Sequence, residues 1–159
     1  MQYIKGMQFY QNDKKTAITL GKFDGLHRGH ETLIERVIEH QKNDGVDSVV
    51  FAFDMAPLYE KIKKKKESLI TNEERAGRLF GRVDYLVECP FVEAVSKIEA
   101  ETFIKEILVK QFHAEYIVVG TDFHFGYQKK GDYHMLQQYS GEYGYEVEVI
   151  EKKCYEDRE

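Results

Sequence analysis

At 159 residues the chain has the size of one domain, able to bury about 70% of its unfolded surface, and 42% apolar with 32% charged residues excludes a disordered polymer. Twenty-three basic against 28 acidic residues leave a net charge of −5, which argues against a general nucleic-acid binder while allowing a local basic site. Two cysteines, Cys89 and Cys154, exclude a disulfide framework; no apolar run is long enough to span a membrane, and the first residues lack a signal-peptide pattern, so the expected compartment is the cytoplasm.

Residues 2–9 are mixed in character and carry only a weak strand signal, and 12–15 form a polar turn. Thr16–Gly21 is a β-branched apolar run that reads as a buried strand. Beyond the loop that follows it, Leu33, Ile34, Val37 and Ile38 recur at helical spacing over 29–42, and Asn43-Asp44-Gly45 ends that helix. Asp47–Asp54 is a second buried strand. Residues 55–71, with lysines crowded over 61–66, read as an exposed loop or frayed helix, and Thr71 with Glu73 and Glu74 caps a helix reaching about Gly81. A strand at 84–88, a helix at 99–112, a buried strand at 115–120, a helix at Tyr133–Tyr143 and an alternating edge strand over 145–151 complete the series. Such alternation predicts an α/β fold with a central parallel five-stranded sheet and helices on both faces. In such sheets ligands bind beyond the carboxyl ends of the strands, where strand order reverses. Two glycine-bearing loops, 21–30 and 120–132, fall at strand ends of that kind.

The first loop reads GKFDGLHRGH. Gly21, Gly25 and Gly29 let the backbone turn sharply and approach a ligand closely. A helix starting near Gly29 presents free N–H groups and its positive dipole end, a site suited to phosphate. His27 and His30 sit three apart, on one side of a helical turn, where two imidazoles can donate to phosphate oxygens and stabilise a leaving pyrophosphate. A metal site is the competing reading, but zinc requires three or four ligands and no further Cys or acidic residue has matching spacing. The segment is not a P-loop, because the Gly-Lys-Ser/Thr ending is missing. In the second loop, TDFHFGYQKKGD, Gly120 and Gly126 permit tight turns, Phe123 and Phe125 offer flat surface to a ring system or simply to the core, and Asp122 is a hydrogen-bond acceptor. His124 lies between the two rings, is expected to point the other way, and receives no role.

GKFDGLHRGH resembles the G-x-FDG-x-H-x-GH signature of the bacterial FAD synthetase family, the FMN adenylyltransferase module of bifunctional riboflavin kinase/FAD synthetases. VGTDFHFG followed by Gly131-Asp132 resembles that family's second signature, and Ile70 to Arg75 and Cys89 to Phe91 sit where the family has similar segments. The resemblance implies a Rossmann-like nucleotidyltransferase fold and the reaction FMN plus ATP giving FAD plus pyrophosphate, with Mg²⁺. It places Gly21, Phe23, Asp24, Gly25, His27, Gly29 and His30 around ATP, with His27 and His30 on the triphosphate and Asp24 ordering ATP or its Mg²⁺. It places Gly120, Asp122, Phe123, Phe125 and Gly126 along the nucleotide and flavin pocket. Asp54, ending a strand on the same rim, is either a ligand contact or a loop cap. The 61–66 lysines read as a solvated loop in preference to an FMN-phosphate site, Cys89 as a buried small residue, and Cys154 as incidental.

Two departures matter. Ala56 stands where the family's proline-histidine-proline run has its histidine. The chain ends at Glu159, about where the family's Ser-Ser-Thr-x-x-Arg motif begins, so the expectation is one domain over 1–159 with no riboflavin kinase domain. Two alternatives follow: a flavin- or nucleotide-binding module with weak or no catalysis, and a nucleotidyltransferase for another phosphate substrate. Neither nucleic acid nor membrane is an expected partner.

Overall fold

The computed structural model describes residues 1–22, 28–57, 77 and 81–151. Among these, six strands form one sheet: β1 (Gln2–Lys5), β2 (Thr16–Gly21), β3 (Asp47–Asp54), β4 (Tyr85–Pro90), β5 (Ala114–Gly120) and β6 (Glu146–Ile150). Their order is β1-β4-β3-β2-β5-β6, and every neighbouring pair is parallel. The sheet therefore has one strand more than the expected five. The addition is β1, an edge strand whose ends are exposed and whose register runs Gln2↔Tyr85 to Lys5↔Glu88. An edge strand of four residues with polar ends carries no buried apolar run for a sequence pattern to register. The opposite edge is β6, matching its alternating sequence.

The inner strands are continuous apolar runs because both faces are covered. On one face α1 (Arg28–Asp44) lays Leu33, Ile34 and Val37 over Ala17, Val50 and Val118. On the other, the helix expected at 99–112 begins as α-helix at Ala100–Thr102 and continues as a wider π-helical stretch, Phe103–Gln111. The Phe112 N–H bonds Ile107 O five residues back, at 2.9 Å. Phe103, Ile104, Ile107 and Leu108 of this helix, here α3, are buried in one cluster with Ile18, Leu20, Phe51 and Phe112. Burial of each such side chain is worth about 1.5–3 kcal/mol. A single turn at Glu93–Ser96 (α2) precedes α3, and α4 (Tyr133–Tyr143) adds Leu136 to the same face. Asp132 caps α4 by accepting the Met135 N–H at 3.2 Å, and Gly144 ends it with φ +78°. The 61–66 lysine run and nearly all of the helix expected over 71–81 lie outside the described residues.

The strand order creates a switch point. From β2 the chain crosses through α1 to β3 on one side; from β4 it crosses through α3 to β5 on the other side of β2. The two crossovers leave on opposite faces, which puts the switch point between β2 and β5, at whose carboxyl ends ligands bind in open α/β sheets. Gly21 ends β2 and Gly120 ends β5. The two loops singled out in the sequence thus leave the sheet side by side.

Candidate active site

On one side of the switch point β2 ends and α1 begins. Gly21 is the last residue of β2 and α1 starts at Arg28, so the helix directs its amino end to the rim of the sheet. Phe23, Asp24, Gly25 and His27 lie outside the described residues. Gly29 and His30 fall in the first turn of α1 by backbone, and their side-chain surroundings are likewise outside the description. The next residue, Glu31, is gripped by Arg82 through two parallel bonds, Nη1 to Oε1 at 2.9 Å and Nη2 to Oε2 at 2.5 Å. The guanidinium holds the Glu31 carboxyl below its usual range, and Glu31 in turn raises Arg82. Fifty-one residues separate this pair, and nothing local in the sequence signals it.

On the other side is the loop after β5, built as a closed platform. Thr121 N–H reaches Ile150 O of β6 at 3.1 Å, and Phe123 N–H reaches Gly120 O at 3.2 Å. Phe125 and Gly131 exchange backbone bonds of 3.1 and 2.8 Å, which pinches the loop shut. Gly126 adopts φ +81°, and a Cβ there would lie 2.6 Å from the backbone of Ala100 at the start of α3. A Cβ on Gly131 would lie 2.6 Å from the Phe125 ring. Glycine is thus required at both positions so that the loop can press onto α3 and onto its own aromatic residue. Tyr127 N–H ties the far side to Ile98 O at 2.8 Å.

The two phenylalanines occupy different environments. Phe125 is only 4% exposed and packs on Phe103, with ring centroids 5.6 Å apart. Phe123 is half-buried, lying between Phe125 at 5.7 Å and Phe53 of β3 at 6.4 Å, with the ring planes of both pairs near parallel. Of the expected pocket residues, Gly120 is buried, Asp122 is exposed and Phe123 offers a partly open ring, whereas Phe125 and Gly126 are held by packing. Phe53, itself buried, backs Phe123 from β3; in the sequence a phenylalanine in a buried strand reads simply as core. His124 is exposed, with Nδ1 3.0 Å from the Asp122 carbonyl oxygen.

At the end of β3, Asp54 Oδ1 accepts the Ala56 N–H at 3.1 Å and the Asp54 carbonyl accepts the Phe91 N–H at 2.8 Å. Cys89 is buried, and that burial, followed by the nearby Asp54 charge, pushes its thiol up to about 11. A thiol so protonated is no nucleophile at neutral pH. Cys154 lies outside the described residues. Among the described residues no three His, Cys, Asp or Glu side chains are grouped so as to hold a metal, and no helix is long and apolar enough to cross a membrane.

A parallel sheet whose β2 and β5 lead, side by side at its switch point, toward a helix amino end and an aromatic loop defines a Rossmann-like α/β protein. The family model for FAD synthetase matches residues 9–159, and the chain belongs to that family. The bifunctional riboflavin kinase/FMN adenylyltransferase of Escherichia coli K12 is 30% identical over 140 residues, covering 87% of this chain and 45% of that protein. The protein of the same description from Buchnera aphidicola of Schizaphis graminum is 27% identical over 162 residues, covering 99% and 52%. The chain thus spans about half the length of the curated relatives it matches. A solved structure described as a macrolide-efflux protein from Streptococcus pneumoniae superposes with TM-score 0.78 at 24% identity, over 95% of this chain and 50% of that one. At that identity the likeness shows the fold alone.

Proposed function

We propose that this chain is a single FMN adenylyltransferase domain that joins FMN and ATP into FAD and releases pyrophosphate. The observation that carries the reading is that β2 and β5, the strands that lead into its two signature segments, are neighbours at the switch point, with α1 beginning after the first of those segments. An FMN phosphate oxygen bonds to the α-phosphorus of ATP while the bond from that phosphorus to the bridging oxygen of the β-phosphate breaks in line. Such a displacement needs positioning and charge stabilisation more than a protein nucleophile. His27 and His30 donate to the triphosphate as negative charge gathers on the leaving pyrophosphate. Backbone N–H groups near Phe23, Gly25 and Gly29 assist, and Gly21 admits the nucleotide close to the strand end. Gly120, Asp122 and Phe123 line the nucleotide and flavin pocket, with Phe125 and Gly126 holding that wall in place.

Mg²⁺ bound to ATP supplies further neutralisation of phosphate charge; such an ion is usually held by phosphates and one or two carboxylates, for which Asp24 is the candidate. Asp54 sits on the same rim, with Oδ1 engaged by Ala56. The reading includes a cytoplasmic location, which the proposed small-molecule substrates and the two-cysteine composition support. His27→Ala and His30→Ala are each expected to lower turnover roughly 10²-fold, the scale of one lost transition-state donor. Near-normal turnover in both would remove their assigned role. Ala56, in place of the family's histidine, favours one second reading, a binding module that takes up FMN or ATP and forms no FAD.

A further inference from the structure

We infer that Arg82 is a positioning residue for polyphosphate binding, acting through Glu31 to keep the amino end of α1 receptive to anions. The inference rests on the adenylyltransferase reading above. Glu31 is the acidic residue of the first turn of α1 and directly follows His30. A free carboxylate there would take the positive end of the helix for itself and repel the phosphates of ATP. Arg82 meets it fork to fork, both oxygens engaged, and ties it toward the segment that leads into β4. The pair leaves Glu31 ionised at neutral pH, so its charge is cancelled by the guanidinium and not by a proton. Glu35, one turn further along α1, also lies in the field of Arg82.

Both side chains are about one-third exposed, at 35% for Arg82 and 30% for Glu31. A pair that open to water adds little to stability, so its effect on ligand charge can be separated from any effect on the fold. The asymmetry is the signature. Loss of Arg82 leaves a bare carboxylate beside the site, whereas loss of the Glu31 charge removes the repulsion itself. A mere mechanical clamp fails equally whichever half is removed.

The test is ATP affinity, measured by calorimetry with Mg²⁺ on the full chain, for the wild type, Arg82→Gln, Arg82→Lys, Glu31→Gln and the Glu31→Gln/Arg82→Gln double variant. Circular dichroism melts confirm that each is folded. Arg82→Gln is expected to weaken ATP binding about fivefold, the scale of one charge acting across a helical turn in partly solvated protein. Glu31→Gln binds as tightly as wild type or tighter, the double variant returns to within about twofold of it, and Arg82→Lys, which keeps the charge without the fork, stays close to it. The inference is overturned by Glu31→Gln weakening as much as Arg82→Gln, by an unchanged Arg82→Gln, or by an Arg82→Gln that fails to fold. FAD formation by the wild type is followed in parallel. The expected affinity pattern without FAD removes the reaction and leaves the inference standing; FAD with no such pattern does the reverse. A wild type that binds no ATP overturns both.

Discussion

Replacing Gly126 by alanine tests whether the second loop is shaped by packing or by its ligand. The native φ of +81° with ψ of 171° lies in a region open essentially to glycine alone and costs a side-chain-bearing residue about 1–3 kcal/mol. The new methyl would lie 2.6 Å from Cα and Cβ of Ala100 and 2.7 Å from its nitrogen, so a backbone segment and not a flexible side chain must shift. Overpacking of that kind costs about 1–3 kcal/mol more. The sum is about 2–6 kcal/mol, or roughly 4–24 °C in Tm for a chain of this length. The matched control is Gly141→Ala in α4, where a Cβ meets nothing within 4 Å. There the better helix propensity of alanine stabilises by about 0.5–1 kcal/mol. Urea unfolding followed by circular dichroism reads both. Opposite signs for two chemically identical changes are expected without any ligand present. A Gly126→Ala protein within 0.5 kcal/mol of wild type, altered only in substrate affinity, would refute the packing account of this loop.

Phe125→Ala should destabilise by about 3–5 kcal/mol as a cavity opens against Phe103, whereas Phe123→Ala should leave the melting curve nearly in place and raise the KM for FMN. Equal destabilisation by the two would show that Phe123 is ordinary core. His40 is stacked on Tyr116 with both ring nitrogens on carboxylates, Asp44 at 2.7 Å and Glu148 of β6, while Arg36 also grips Glu148. Burial lowers its pKa, and the bonds to Asp44 and Glu148 more than reverse that, so the folded value is raised. Its stabilising contribution is therefore full below about pH 6.5, the unfolded value, and is lost as pH rises through the folded one. Stability measured from pH 5.5 to 8.5 should fall across that window, and His40→Gln should flatten the fall; an unchanged slope in the variant would exclude His40 as its source. Cys89, buried and protonated, should react with a thiol reagent at pH 7 only as fast as the protein opens, and fast labelling of the native chain would contradict its placement.

Periodicity made the alternating α/β order visible because the inner strands are buried on both faces and the helices carry apolar stripes. It did not secure β1, whose pairing with β4 is a tertiary event in an edge strand of four residues. The two loops were legible as strand-end glycine motifs, and the topology puts both at one switch point. The distinct roles inside the second loop were not. Phe123 and Phe125 look alike in sequence, and only the Phe125–Gly131 bridge and the seat of Gly126 on Ala100 turn one ring inward and leave the other partly open. Arg82 and Phe53 were invisible for the same reason, since their partners, Glu31 and Phe123, are distant in the chain.

The most direct measurement is one incubation of the chain with FMN, ATP and Mg²⁺, with FAD separated by chromatography and pyrophosphate quantified in the same sample. The expected result is FAD and pyrophosphate in equal amounts, above the level of a His27→Ala/His30→Ala control. Tight binding of FMN and ATP with no FAD, or FAD formed equally by the control, would contradict the assignment of adenylyl transfer to the β2/β5 switch point.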